Sequence, residues 1–259
     1  MTVNKKFRYI YGPVFSWRLG VSLGIDTVSG ENKICSFDCS YCQIGPTKDF
    51  RSERKVFVPV ERVMDEIKRL PPAEIDYITF AGCGEPTLAA YLGGMISSVR
   101  TFRKEKIAVI TNSSLLYRKD VARDLLLSDF VIAKLDAYSQ KSLEKINNPV
   151  KEITFELIVK GIKEFRQKYR GRFALQIMFI GENKDRAAEL AELAGEINPD
   201  EVQINTPLRR CGEKPLPEKD LVRICEYFKE LKTVSVYNSD RKEVKPVSDE
   251  ETLKRRGKT

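Results

Sequence analysis

Apolar residues recur at every second position in six short stretches and at every third or fourth position between them, so strand and helix alternate from residue 20 to residue 237. Strands are expected at 21–26, 75–81, 107–112, 130–136, 173–180 and 201–206, with a seventh short run at 233–237. Helices are expected at 60–70, 88–104, 154–169, 186–197 and 218–231, each long enough to cross over between parallel neighbours. No repeat or low-complexity linker breaks this order.

The two parities of each strand differ in kind. Val131, Ala133 and Leu135 are apolar, whereas the opposite parity ends in Lys134 and Asp136; Phe173, Leu175, Ile177 and Phe179 oppose Gln176 and Met178; Val202 and Ile204 oppose Gln203 and Asn205; Val21, Leu23 and Ile25 oppose Ser22 and Asp26. In an open doubly wound sheet both faces meet helices and both are apolar. A face that turns polar near the C-terminal strand ends fits instead a wide, incompletely closed α/β barrel whose inner surface lines a site. Edge strands with one solvated face are the alternative.

Composition narrows the chemistry. The 259 residues are 42% hydrophobic, enough for a large core, and include no histidine, which excludes histidine bases, proton shuttles and histidine-ligated zinc or haem. With 45 basic and 37 acidic residues the net charge is +8, which favours acidic partners such as nucleic acid or phosphates; a highly charged, heat-stable surface explains the same balance. Residues 1–6 lack the apolar stretch of a secretory signal, and no window nears the roughly 18 apolar residues of a membrane span. A cytoplasmic protein without membrane contact is expected, with cysteines reduced and serving metals or catalysis.

Three of the six cysteines, Cys35, Cys39 and Cys42, stand in a C-x3-C-x2-C spacing within the loop after the first expected strand. Three thiolates from one short loop can cap three irons of a 4Fe-4S cluster and leave the fourth iron open. Zinc would need a fourth ligand from Cys83, Cys211, Cys225 or a carboxylate, and unliganded buried thiols are the remaining reading.

This spacing, with Tyr41 before the third cysteine, resembles the signature of the radical SAM superfamily. The segment Gly82-Cys83-Gly84-Glu85-Pro86 at the end of the second expected strand is similar to that family's Gly-Gly-Glu-Pro segment, with Cys83 intervening so that Gly84, Glu85 and Pro86 match in order. Thr111-Asn112-Ser113 is similar to the Thr-Asn-Gly-like turn of relatives, and Lys134 and Asp136 fall at strand-end positions where relatives carry polar side chains that contact the cofactor. The resemblance covers residues 20–206 and implies a partial (β/α)6 barrel of parallel strands, here as a domain over 1–239 with a short N-terminal extension, followed by a charged C-terminal tail over 240–259. It implies a 4Fe-4S cluster on Cys35, Cys39 and Cys42, and S-adenosylmethionine held by Tyr41, Gly84, Glu85, Asn112, Ser113, Lys134 and Asp136, with Glu85 facing its ammonium. The reaction it implies is reductive cleavage of S-adenosylmethionine to a 5′-deoxyadenosyl radical that takes hydrogen from a substrate, with electrons from a reduced flavodoxin or ferredoxin type of donor.

The opening Tyr11 to Gly20 is most similar to a branch related to the wyosine-forming tRNA-modifying enzymes, which carry further cysteines upstream; this chain has none before Cys35. Together with the charge, this points to tRNA or another RNA as substrate, with a glycyl-radical-type protein-activating enzyme as the second enzymatic reading and a non-catalytic, metal-stabilised RNA-binding module as the competing class. Cys83, Gln176, Asn205 and Arg209 are the candidate substrate contacts. Cys83 and Cys211 follow strands at the site end and are radical partners, methyl acceptors, ligands or simply packed thiols; Cys225 reads as packing. Arg209 and Arg210 suit a bidentate grip on phosphate or carboxylate, or a solvated loop. The tail, ending in Lys254-Arg255-Arg256-Gly257-Lys258, reads as flexible or capping, or as a substrate-binding arm.

Overall fold

The structure, a computed structural model, describes residues 6–238 and 243–256. Residues 1–5, the boundary expected at 239/240 and the last three residues of the basic tail lie outside the described residues.

In chain order the strands are β1 (Ile10–Ser16), β2 (Gly20–Ile25), β3 (Ile34–Cys35), β4 (Asp49–Phe50), β5 (Tyr77–Phe80), β6 (Lys106–Thr111), β7 (Phe130–Lys134), β8 (Arg172–Met178), β9 (Glu201–Asn205) and β10 (Thr233–Ser235). The helices are α1 (Val60–Ile67), α2 (Leu92–Phe102), α3 (Lys119–Leu125), α4 (Gln140–Ile146), α5 (Phe155–Lys168), α6 (Ala187–Ile197), α7 (Glu218–Glu226) and α8 (Asp249–Arg256). Eight strands form one sheet in the order β1-β2-β5-β6-β7-β8-β9-β10, parallel throughout except that β1 pairs antiparallel with β2; β3 and β4 form a small separate pair. The sheet curls into a half-barrel, the α/β partial barrel that the strand parities lead one to expect.

Its outer face carries the main core. Along α5, Ile158, Ile162 and Phe165 lie on one stripe and are buried under the sheet with Phe173 and Leu175 of β8. Each such side chain removed from water contributes about 1.5–3 kcal/mol. The helix starts where Thr154 accepts the Leu157 N–H at 3.2 Å, a local cap that the sequence carries. Aspartates placed just before alternate strands tie neighbours together: Asp76, Asp129 and Asp200 accept the backbone N–H groups of Val21, Ile107 and Phe173, each at 2.7 Å.

The inner face is built in two storeys. Leu19, Ala108, Phe130, Ile132 and Ala174 close its floor as a dry plug. Above them the row Lys134, Gln176 and Gln203 lies in register across β7, β8 and β9, and Ser22 and Thr79 share a 2.7 Å hydroxyl contact. The polar parity therefore faces the interior near the C-terminal strand ends.

Beyond the small β3–β4 pair, four elements were not among those expected from the sequence. The N-terminal extension contributes strand β1, with an irregular register between Tyr11 and Val14 around the Gly12-Pro13 step. Helices α3 and α4 are only seven residues each, too short for a clear period. The tail, read as flexible or capping, holds helix α8, docked on β1 through a 3.0 Å bond from Gly12 N to Thr252 Oγ1 and through buried Arg255. Among the described residues no helix is long and apolar enough to cross a membrane.

Candidate active site

The cysteine loop leaves β2 and is clamped against the strand ends. Ile34 bridges to Gly84, and Glu85 N donates to the Ile34 carbonyl at 3.1 Å. The approach is so close that a Cβ on Gly84 would lie 1.7 Å from that carbonyl oxygen, so glycine is required one residue from where Cys35 is held. On the far side, a Cβ on Gly212 would lie 2.6 Å from the Ser40 carbonyl, so the loop after β9 presses on the same segment.

Two amide groups point at sulfur. Asn112 Nδ2 donates toward Cys35 Sγ at 3.7 Å and to Ser36 Oγ at 2.9 Å, and Ser36 in turn contacts Ser114 at 2.7 Å. Asn147 Nδ2 donates toward Cys39 Sγ at 3.4 Å. Cys35 is buried, Cys39 and Cys42 are half-buried, and all six cysteines are free thiols. Burial first, then Cys39 and Glu85, pushes the Cys35 thiol up to about 12, and burial raises Cys39 as well. Lys33 Nζ donates to the Gly45 carbonyl at 2.9 Å; burial alone would lower its ammonium, but Cys42 and Cys35 outweigh that and raise it. Among the described residues no three Cys, Asp or Glu side chains converge as ligands of one ion.

A second group of candidates is locked together beside this loop. Tyr41 donates its hydroxyl to Asp136 Oδ2 and accepts from Lys134 Nζ at 2.6 Å, while the Lys134 ammonium lies 4.3 Å from the Tyr41 ring centroid. Asn147 Nδ2 reaches Asp136 Oδ2 at 2.9 Å, and Met178 N donates to Asp136 Oδ1 at 2.8 Å. Burial, reinforced by Asp136, raises the Tyr41 phenol well above its ordinary value. Asn112, Lys134, Asp136, Asn147 and Phe37 line a narrow cleft between the two groups.

Glu85 is buried with both carboxylate oxygens engaged. It accepts Thr87 N at 3.0 Å, Thr87 Oγ1 at 2.6 Å, Thr111 Oγ1 at 2.7 Å and Asn112 N at 2.6 Å. Burial raises its carboxyl even against those donors. Oε1 takes three of these donors and Oε2 takes Asn112 N alone, so the side chain expected to face an ammonium also ties the strand end to Asn112. Ser113 holds φ at +69°, in the left-handed region that favours glycine, and its Oγ is buried and unpartnered.

The remaining candidates scatter. Gln176 and Asn205 are buried on the inner face, and Asn205 Oδ1 accepts Thr206 N at 3.0 Å. Cys83 is buried next to α8, its N–H on Asp26 Oδ2 at 3.1 Å, away from the three-cysteine loop's donors. Cys211 packs with Cys39 against Tyr41, Ile146 and Ile180. Cys225 packs on the main core, as expected. The Arg209–Arg210 pair splits: Arg209 is half-buried on Gln43, Arg210 is exposed. Asn147, Lys33 and Gly212 are the residues that sequence reasoning missed; Lys33, two residues before Cys35, had only proximity to signal it.

The family model described as the Radical SAM superfamily matches residues 32–194, from the cysteine loop into α6. The UPF0026 protein slr1464 of Synechocystis sp. is 38% identical over 216 residues, covering 83% of this chain and 80% of that protein. A protein named GTPase Obg from Brachyspira hyodysenteriae is 34% identical over 96% of this chain, which spans only 38% of its length. Among solved structures, Streptococcus suis SuiB bound to S-adenosylmethionine superposes with a TM-score of 0.59 at 17% identity, over 79% of this chain and 48% of that one, a likeness of fold. The cysteine loop, the half-barrel and these matches agree: the chain belongs to the radical SAM superfamily of enzymes and, within it, to the UPF0026 family.

Proposed function

We propose that the protein binds a 4Fe-4S cluster on Cys35, Cys39 and Cys42, binds S-adenosylmethionine beside it, and modifies a substrate by hydrogen abstraction, as an oxidoreductase in the cytoplasm. The observation that carries this reading is the pair of side-chain amides directed at Cys35 and Cys39, Asn112 from the C-terminal end of β6 and Asn147 from the end of α4. Thiol donors with N–H groups turned toward sulfur fit an iron-sulfur cluster. When bound, the cluster and S-adenosylmethionine together supply a 5′-deoxyadenosyl radical.

The chain's own residues orient and shield. Asn112 and Asn147 hold two sulfurs in place and stabilise their thiolate form, and the Lys33 ammonium offsets the negative charge that three thiolates bring. Gly84 fixes how near the loop comes to the strand end. Glu85, through its bond to Asn112 N, acts as a positioning residue for that amide. Tyr41, Lys134 and Asp136 present an aromatic face and a carboxylate held by three donors, suited to a purine and to ribose or ammonium groups, with Ser113 and Gly84 offering close backbone approach. The apolar floor of Phe130, Ile132 and Ala108 keeps water from entering below.

Electrons come from an external donor of the flavodoxin or ferredoxin type. The six free thiols support a reducing compartment. The relation to the wyosine-forming branch is supported by the Tyr11 to Gly20 opening, and RNA as substrate by the +8 charge. Anaerobic reconstitution should yield a brown protein that releases 5′-deoxyadenosine from S-adenosylmethionine on reduction. A colourless protein holding one zinc per chain would overturn the reading, and tRNA affinity that is flat between low and moderate salt would overturn the RNA substrate.

A further inference from the structure

Three arginines border the side where the half-barrel stays open, with Arg18 close enough to the other two for their charges to act on it. Arg18 lies in the turn between β1 and β2, Arg209 follows β9, and Arg256 ends α8. Arg209 Nη1 donates to Gln43 Oε1 at 3.0 Å and to the Arg256 carbonyl at 3.1 Å, joining the loop after β9, the cysteine loop and α8 at one point. The Arg18 guanidinium stacks on Trp17 with 4.8 Å to the ring centroid, and its Nε and Nη1 are buried with no hydrogen-bond partner. Arg18 and Arg209 are both lowered to about 10: burial acts first, and Arg256 presses on each, with Arg209 also pressing on Arg18. Burial lowers Arg256 too. Among the described residues no carboxylate counters these charges, and the neighbouring Tyr11 phenol, raised by burial, stays neutral and supplies no negative charge.

Nearby Arg255 shows what a structural arginine looks like here. Its donors are taken by Asp26, Ser29, Glu251 and the Arg8 carbonyl. Arg18 has none of this. A buried guanidinium with idle donors and two cationic neighbours is stabilised by a multiply charged oxyanion whose oxygens match the planar fork. A phosphodiester backbone runs along surfaces, whereas buried Nε and Nη1 are reached by an end group. A phosphate monoester brings nearly two negative charges against three positive ones, more than one carboxylate can.

We propose that Arg18, Arg209 and Arg256 form a binding site for the terminal phosphate of a small substrate, at the open side of the half-barrel. The site rests on the reading of the strand ends as the place of reaction and, in place of the RNA that net charge alone suggests, assigns a phosphorylated metabolite held by its phosphate as substrate class, with Gln43 linking occupancy to the cysteine loop.

The test is titration of inorganic phosphate into the reconstituted full-length protein, followed by calorimetry and by thermal melting, with Arg18→Met and Arg256→Gln alongside. One saturable phosphate per chain is expected, weakened tenfold or more by either substitution. Arg18→Met should melt no lower than the parent without phosphate, since an unpaired buried charge is removed, and should lose the melting increment that phosphate gives the parent. The proposal is overturned if the parent shows no saturable phosphate binding, if both variants bind phosphate as the parent does, if Arg18→Met weakens S-adenosylmethionine binding while phosphate binding is kept, or if it weakens tRNA binding alone. Phosphate binding needs no turnover. A protein that binds phosphate through these arginines but never releases 5′-deoxyadenosine would sink the proposed function and leave the site standing.

Discussion

Arg255 Nε donates to Asp26 Oδ2 at 2.8 Å, and both side chains are fully buried although they lie 229 residues apart in the chain. The pair fastens α8 to the C-terminal end of β2, close to where the cysteine loop begins. Breaking a buried, fully hydrogen-bonded ion pair from one side leaves an uncompensated charge and costs about 3–5 kcal/mol. Arg255→Met is therefore expected to lower the urea midpoint sharply. Asp26→Asn combined with Arg255→Met should recover part of the loss, because no charge is then stranded. A single variant as stable as the parent would show that α8 does not dock through this pair.

Asn147 touches three site residues at once, the Cys39 sulfur, the Tyr41 hydroxyl and the Asp136 carboxylate. An N–H turned toward a cluster sulfur stabilises the reduced, more negative state. Asn147→Leu, which keeps the volume and removes the donor, should shift the cluster to a more negative reduction potential in an anaerobic titration followed by paramagnetic resonance. It should also weaken S-adenosylmethionine binding by freeing Asp136. An unchanged potential would mean that the contact to Cys39 has no electrostatic role.

How much of this was legible beforehand follows from what each feature depends on. The half-barrel was readable because Val131, Ala133 and Leu135 against Lys134 and Asp136 is a local, period-two pattern, and the parity predicted which face becomes polar near the strand ends. The three-cysteine loop was readable because its C-x3-C-x2-C spacing is local, and the family model that matches begins at this loop. Strand β1 was not, since Gly12 and Pro13 interrupt it and it lies at the sheet edge. Helix α8 was not, since Arg255 and Thr252 dock it by charge and hydrogen bonds and no apolar stripe marks it. Asn147 and Arg18 have no local signal at all: one becomes a sulfur-directed donor and the other an unpaired guanidinium only through contacts made after folding. The motif marks Glu85, but the tie that its carboxylate makes to Thr87, Thr111 and Asn112 is a product of folding that a motif does not disclose.

Gly84→Ala probes the clamp on the cysteine loop. The new Cβ would meet the Ile34 carbonyl at 1.7 Å, and backbone has no flexible end that can yield, so the loop must move away from β5. Such overpacking costs about 1–3 kcal/mol. The larger expected effect is on metal loading: iron and sulfide per chain after reconstitution should fall several-fold while the far-ultraviolet circular dichroism stays that of the parent. Full iron content in Gly84→Ala would dissociate the clamp from the placement of Cys35.

Cys83 offers a pH test outside the three-cysteine loop. Burial, with Asp26 next, pushes its thiol up to about 12, against about 8.5 in an unfolded chain. The raised value means that the folded protein keeps the thiol protonated while the unfolded chain ionises. Its contribution is therefore fully present below about pH 8.5 and is lost as pH climbs toward 12. In urea titrations of the metal-free protein between pH 8 and 11, the parent should lose stability with rising pH more steeply than Cys83→Ala, by up to about 1.4 kcal/mol per pH unit. Tyr11 adds to the loss in both proteins, because burial raises its phenol as well. Parallel pH profiles for the two proteins would mean that Cys83 ionises as freely in the fold as out of it, and that α8 does not seal it from water.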